Sequence, residues 1–479
     1  MPSPNILLIT TDEHNARALG YAGDPVIRTP NIDRLAEEGT VFERAYTTRP
    51  LCTPARATVW TGQHPLTHGV RGNMYTGRKD GGVRDGAFTF SKRLRRAGYE
   101  TGLIGKRHLA FRNEADIGLD HQELAESKFN FNPPGVKDDY RRWLEEQGHS
   151  NQEITTWERD DLDEEYRRHY GAIRFPLEER YYVDSWVGRR AVQWLRRPRQ
   201  RPFFLWVSFC SPHHPWDPPE RYDEMYDPGD IPLPERRERE LHDKPRRQLE
   251  YLQHLGRGLP ATTRDEEMFV EADLAYEKIP ESIQRKMISR YYGTITLVDD
   301  RIGRILATLE EDGRLDDTVV IFTSDHGDHL GEHWLWFKGV TRYEALVRVP
   351  FVVRMPGAAA GGRRSEALIS LSDLAPTFLE WAGLEPAEAC DGTSIRPLLE
   401  DPCAALREDL LIGTDCLVTP GWKYVRNSDD VDELYDLKGD PGELYNLHGR
   451  NRHAEVERNL RGRLERRLEG LEGSARSDG

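Results

Sequence analysis

Short apolar runs recur along the chain, each ending in a cluster of polar residues, and amphipathic stretches lie between them. Residues 5–10, 99–104, 202–209, 318–322 and 350–353 have the near-continuous apolar character of strands buried on both faces. Helical spacing marks 29–38 (Ile32, Leu35, Ala36), 91–97, 180–195 (Val183, Val187, Ala191, Trp194) and 372–382. A longer helix is traced by Ile288, Tyr292, Ile295, Val298, Ile302, Ile305 and Leu309 and stops at Gly313. Thr29-Pro30 suits a helix start and Gly39 a helix end. Strands alternating with helices predict an α/β fold, a mostly parallel central sheet flanked by helices. Beyond about residue 405 the texture changes. Residues 410–414, 422–426 and 433–437 are short and alternating, and a charged helix closes the chain. This predicts a main domain over 1–405 and a smaller C-terminal antiparallel sheet plus helix over 406–479. The aperiodic stretches 112–180 and onward to about 280 from the end of the 202–209 strand are expected to be surface excursions near the site.

Composition narrows the partners. A net charge of −15 over 479 residues argues against nucleic acid or an anionic membrane as a general partner, so an anionic ligand has to be drawn in by local cations. The five cysteines (52, 210, 390, 403, 416) are scattered and odd in number, which is not a disulfide framework. The N-terminal apolar run lacks the length and basic flank of a signal peptide, and no later stretch approaches membrane-spanning length, so a cytoplasmic location is expected. The oligomeric state is left open, a homo-oligomer included.

The densest chemistry lies in residues 50–62, Pro-Leu-Cys-Thr-Pro-Ala-Arg-Ala-Thr-Val-Trp-Thr-Gly. Thr53 suits an N-cap, Pro54 a first helical position and Gly62 the far end, so Cys52 is expected just ahead of a helix N-terminus. There the unpaired N–H groups favour a thiolate or an oxyanion, and Arg56 one turn on can grip the same anion. Taken alone, such a Cys is more often a small buried hydrophobe and such an Arg a solvated surface group. Further candidates stand at strand ends, where open α/β sheets collect their ligands. These are Asp12 and Glu13, then Lys106, Arg107 and His108, then His213, His214 and Trp216, then Asp325 and His326 with Lys338 downstream.

The stretch around Cys52 resembles the signature of type I sulfatases, in the alkaline phosphatase superfamily, at every constrained position. Residues 98–108 are similar to that family's second signature, with Arg107 where an aromatic is usual. Pro212-His213-His214-Pro215, and Asp325-His326 followed by Lys338, match further family positions. The resemblance covers nearly the whole chain and implies an alkaline-phosphatase-like fold. It also implies that a formylglycine-generating maturation enzyme oxidises Cys52 to formylglycine. The hydrate of that aldehyde would attack sulfur with one hydroxyl and expel sulfate through the other. Asp12, Glu13, Asp325 and His326 would hold one divalent metal with residue 52. Arg56, Lys106 and Lys338 would neutralise sulfate oxygens, His108 would accept a proton, and His213 would protonate the leaving alkoxide.

Two departures from the family pattern matter. Glu13 replaces the commoner Asp, and its longer arm can take it away from the metal. His326 replaces the commoner Asn, and an imidazole ligand shifts the choice between Ca2+ and Mn2+ toward manganese. His326 also links the chain to the phosphonate monoester and phosphodiester hydrolases of the same superfamily, the alternative reading. A catalytically inactive binding protein is disfavoured because none of the matching residues is lost. An unmodified reactive-Cys enzyme is disfavoured because no second Cys stands near Cys52 in the sequence and no protease-like context surrounds it. Tryptophans near the site raise the expectation of a sulfated carbohydrate, with Trp216 exposed at the mouth to stack on a sugar ring. Trp334 and Trp336 are expected to wedge loops against the core. His329 and His333, four apart, are read as structural rather than as a second metal pair.

Overall fold

The computed structural model describes residues 3–477 apart from 74–81, 84–85, 110–115, 129–136, 155–167, 256–278, 340 and 359–360, so parts of both expected excursions lie outside the described residues. Eight strands form the central sheet in the order β4-β3-β5-β1-β6-β7-β2-β8. They are β1 (Asn5–Asp12), β2 (Thr40–Tyr46), β3 (Glu100–Gly105), β4 (His121–Leu124), β5 (Phe203–Pro212), β6 (Thr318–Ser324), β7 (Phe351–Arg354) and β8 (Arg363–Ser370). All pairings are parallel except those of β7, which runs antiparallel to β6 and β2.

The apolar runs read as doubly buried strands because alternate residues feed two cores. Leu7 and Ile9 of β1, Leu205 and Val207 of β5 and Val320 and Phe322 of β6 join one core. It is closed by helices α1 (Pro30–Glu38), α4 (Val183–Leu195) and the long α5 (Glu281–Glu311). Ile6 and Leu8, Phe204 and Trp206, and Val319 and Ile321 point the other way. They meet α2 (Cys52–Thr61), α3 (Phe90–Arg96) and α6 (Leu374–Trp381). A strand whose two faces both lose water has no polar position to alternate with, and this is why the pattern is continuous.

A second, antiparallel sheet follows in the order β12-β11-β10-β9, formed by β9 (Leu410–Ile412), β10 (Cys416–Val418), β11 (Trp422–Val425) and β12 (Glu433–Asp436). Cys416, Val418 and Val425 pack on Tyr46 of β2 and on Leu346 and Val347. Leu417, Tyr424 and Leu434, on the other face, are covered by Leu460 and Leu464 of the closing helix α7 (Ala454–Ser477). The alternation along these strands is therefore between two apolar contacts, not between core and water. Four strands were not expected from the sequence: β2, β4, β8 and β10. β2 carries Glu43 and Arg44 at its centre, β8 lies at the sheet edge, and β4 and β10 are very short. Among the described residues no helix is long and apolar enough to cross a membrane.

Candidate active site

Strand register brings the candidates to one edge. β1 lies between β5 and β6, with Asp12 opposite Pro212 and Thr11 opposite Ser324. Asp12-Glu13, His213-His214 and Asp325-His326 therefore leave the sheet side by side. β3 pairs with β5 on its far side and adds Lys106 and His108. The turn into Lys106 requires glycine. Gly105 holds φ +108°, and a Cβ there would lie 1.9 Å from the Ser208 carbonyl oxygen, the oxygen that accepts the Lys106 amide. α2 aims its N-terminus at the same edge. Leu51 is its N-cap and Cys52 its first residue, and Gly62 at φ +66° closes it. Thr53 is not the cap expected from the sequence; its own N–H donates to Asn73 Oδ1 at 3.0 Å.

The Cys52 sulfur lies 3.3 Å from His326 Nε2, 3.2 Å from Lys338 Nζ and 3.6 Å from Asp12 Oδ1. Ligand atoms of Asp12, Cys52, Asp325 and His326 all fall within 4.8 Å of one another, and all four residues are buried. His326 Nδ1 faces the Gly327 carbonyl at 2.9 Å, so in the neutral ring the proton sits there and the Nε2 lone pair is left to face the group. This donor set calls for a cation. Burial opposes charge on His326, but Asp325 and Cys52 outweigh it and raise its pKa to about 9. Two carboxylates, an imidazole nitrogen and residue 52 thus fit a divalent metal.

Two buried cations stand behind the ligands. Arg56 Nε reaches Asp325 Oδ2 at 3.1 Å and Nη2 reaches Asp12 Oδ2 at 2.9 Å. Its Nη1 donates to the Lys106 carbonyl at 2.8 Å and to Ser208 Oγ at 2.7 Å. Lys106 Nζ lies 2.6 Å from Asp12 Oδ2. Burial alone would raise the Asp12 pKa, but Lys106 foremost, with Arg56 and Lys338, holds it well below the usual carboxylate range. On the open side stands Lys338, only 14% exposed, with Nζ 2.7 Å from His213 Nε2 and 3.2 Å from Glu13 Oε2. His213 Nδ1 faces the His214 carbonyl at 2.6 Å, which places its proton on Nδ1 and leaves Nε2 to accept from Lys338. Burial, reinforced by Lys338, holds the His213 pKa well below the ordinary imidazole value. Burial also lowers His108, with Lys106 and Arg56 adding to the effect.

A family model described as Sulfatase matches residues 4–384. The chain belongs to the sulfatase family. An arylsulfatase of Clostridium perfringens is 32% identical to it, with 98% of this chain and 95% of the relative aligned. An N-acetylglucosamine-6-O-sulfatase of Bacteroides thetaiotaomicron is 28% identical, over 96% of this chain and 86% of the relative. Among solved structures, a phosphonate monoester hydrolase of Agrobacterium radiobacter superposes with a TM-score of 0.78 at 25% identity, covering 98% of this chain and 96% of that one. The chain is thus a sulfuric ester hydrolase with the fold of the alkaline phosphatase superfamily.

Not every expected residue stands where the sequence put it in this sulfatase. The Glu13 carboxylate turns from the four-residue ligand group to a second one, with His213 and His214, and its Oε1 is buried without a hydrogen-bond partner. Trp216 was expected at the mouth, but it is 0% exposed and stacks on Phe337 at 4.9 Å between ring centroids. It therefore offers no face to a sugar. Its neighbours Trp336 and Tyr291 complete an aromatic wedge under the site. Arg107 turns to Gln122 and Glu126. His329 meets Thr341 while His333 pairs with Glu240 and stacks on Tyr343, so the two histidines do not converge.

Other residues of the site were missed. Ser208 anchors Arg56, and Tyr251 Oη donates to the Lys338 carbonyl at 3.1 Å. Glu126 Oε2 accepts the His108 N–H at 2.7 Å. Ser208 carried only the weak signal of a hydroxyl inside an apolar strand, and the other two lie in stretches without periodicity. Glu13 and His108 hold φ of +66° and +45°. Such backbone costs a non-glycine residue on the order of 1 kcal/mol. It is held because the Glu13 N–H donates to Asp325 Oδ1 and the His108 N–H to Glu126.

Proposed function

We propose that this sulfatase hydrolyses a sulfate monoester at residue 52, matured from Cys52 to formylglycine, with a divalent metal held by Asp12, Asp325, His326 and that residue. The observation that carries the reading is the convergence of those four ligand atoms at the N-terminus of α2, with Lys338 across from them. The metal would supply a Lewis acid that polarises a sulfate oxygen. Formylglycine would supply two hydroxyls on one carbon, one to attack and one to release the product.

The chain's own groups carry the rest. Arg56 and Lys106 keep Asp12 ionised and fix its orientation, so the ligands keep their geometry as charge moves in the substrate. Lys338 is the cation on the substrate side. Burial works against its charge, but Cys52 in the unmatured chain, with Glu13 and Asp12 in either form, holds its pKa above the ordinary amine value. Because His213 is neutral with its lone pair on Lys338, it accepts a hydrogen bond from the charged Lys338 ammonium over 2.7 Å. That pair, rather than His213 alone, is the donor to a departing alkoxide. His108, kept neutral, is the acceptor for the hydroxyl that releases sulfate. The His326 nitrogen favours manganese over calcium. The similarity to an N-acetylglucosamine-6-O-sulfatase supports a sulfated saccharide as the substrate.

A second reading, hydrolysis of phosphonate monoesters or phosphodiesters, is favoured by the nitrogen ligand His326 and by the similarity to a phosphonate monoester hydrolase. A panel of aryl sulfates, sugar sulfates, choline sulfate and phosphonate monoesters, run on matured manganese-loaded and calcium-loaded enzyme, separates the two. The highest kcat/KM is expected on a sulfate ester. A phosphonate monoester turned over faster than every sulfate would overturn the first reading in favour of the second.

A further inference from the structure

A second group of ligand atoms lies beside the first. Glu13 Oε2 is 3.4 Å from His213 Nε2 and 3.9 Å from His214 Nδ1, and the ligand atoms of these three buried residues all fall within 4.8 Å of one another. Donors bonded to one metal at about 2.1 Å stand about 3.4 Å apart at tetrahedral angles, so the first separation fits and the second has to close by about 0.5 Å. The two histidines adjoin in the chain, and their rings stack at 4.4 Å between centroids. Phe337 backs the His214 ring edge-on at 5.0 Å. His213 Nδ1 faces the His214 carbonyl, which leaves the Nε2 lone pair on the side of Glu13.

The Glu13 carboxylate is only half satisfied. It is wholly buried, and while Oε2 accepts from Lys338 Nζ at 3.2 Å, Oε1 has no hydrogen-bond partner. A buried carboxylate oxygen without a donor opposes folding, and a cation shared by both oxygens would remove that cost. Lys338 closes the group at present, with Nζ also 2.7 Å from His213 Nε2. It brings a single charge on a flexible four-carbon arm from the open side, so it can swing away. Two imidazole nitrogens and one carboxylate, with a fourth position open, are a donor set for zinc. The first group, with two carboxylates and one imidazole, is the harder site and keeps its preference for manganese.

We propose that Glu13, His213 and His214 form a second metal site, which zinc enters by displacing the Lys338 ammonium, and that zinc held there inhibits the enzyme. The inhibition rests on the sulfatase reading above; the site itself does not. Zinc takes the His213 lone pair and parts that ring from Lys338, so the pair that donates to the departing alkoxide is lost. A sugar alkoxide is strongly basic and leaves only as it is protonated, whereas 4-nitrophenolate leaves without a proton. Inhibition therefore falls on sugar sulfates.

The test adds one equivalent of zinc to matured enzyme in excess manganese, then measures bound metal and turnover. Manganese plus zinc per chain, by elemental analysis after desalting, is expected to rise from about one to about two. This sum does not change if zinc merely replaces manganese at the first site. The kcat on N-acetylglucosamine 6-O-sulfate should fall by about tenfold or more, and that on 4-nitrophenyl sulfate by less than about twofold. In H214Q the sum should stay at about one, and the ratio of kcat with and without zinc should return toward unity on the sugar sulfate. Zinc-edge X-ray absorption on the unsubstituted enzyme needs no variant and should show two imidazoles around the metal. A sum that stays at one, a second metal that survives H214Q, or a zinc shell with sulfur or a single imidazole would overturn the site. Equal losses on both substrates would overturn the inhibition. Turnover of both sulfates before zinc is added reads the sulfatase assignment separately, and if it fails the metal count and the zinc shell still decide the site.

Discussion

At the scale of single residues, Arg56 has the most demanding position. It is fully buried between two carboxylates that a metal would also neutralise. Read from the sequence as a grip for the substrate, it faces the ligands instead. Removing it leaves Asp12 and Asp325, both buried, without the cation that bridges them. Arg56→Ala is therefore expected to destabilise the chelated protein by about 3 kcal/mol, since breaking a buried pair strands its partners. Added manganese should restore part of that loss, because a divalent cation compensates the same two charges. Thermal melts with and without metal check this; an equal loss under both conditions would mean that no metal sits between those carboxylates.

At the scale of elements, the loop after β5 carries His213 and is held from beneath by Trp216, Phe337 and Trp336. Trp216→Ala removes a side chain that is wholly out of water, at a cost of about 3 kcal/mol or more. It should lower kcat/KM on a small aryl sulfate and on a sugar sulfate alike, because what moves is His213 rather than a sugar platform. A loss confined to the sugar sulfate would contradict the buried position.

The same loop shows what could be read from the sequence. Strand ends announced Asp12, Lys106, His213 and Asp325, because an apolar run that stops at a polar cluster fixes where side chains leave a parallel sheet. The orientation of Glu13 and the burial of Trp216 were not legible. Each depends on a partner more than a hundred residues away, Lys338 for the first and Phe337 for the second. β2 was hidden because Glu43 and Arg44 find ion-pair partners on β8 that local sequence does not reveal. The helix starts at Thr29 and Thr53 had the right residue types, yet neither side chain caps its helix.

For the molecule as a whole, acid stability is set partly by histidines buried in neutral form. His68 accepts the Val70 N–H and meets Thr58, and burial lowers its pKa from 6.5 to about 3. His64 accepts the Leu66 N–H and is lowered to about 4. The unfolded chain takes up these protons near pH 6.5, well before the folded chain does. Stability is therefore intact above about pH 6.5 and falls as the pH drops toward 4. Urea midpoints measured from neutral to acid pH should decline over that window, and His68→Gln should flatten the decline. A slope unchanged by the substitution would place the acid sensitivity elsewhere.

The central claim is that residue 52 reacts as an aldehyde and not as a thiol. Peptide mass spectrometry across residue 52 measures the fraction converted in preparations made with increasing amounts of maturation enzyme. Each preparation is assayed in parallel for sulfate ester hydrolysis. The account predicts that activity per molecule rises in proportion to the converted fraction and vanishes with it. Full activity in protein whose residue 52 is entirely cysteine would contradict it.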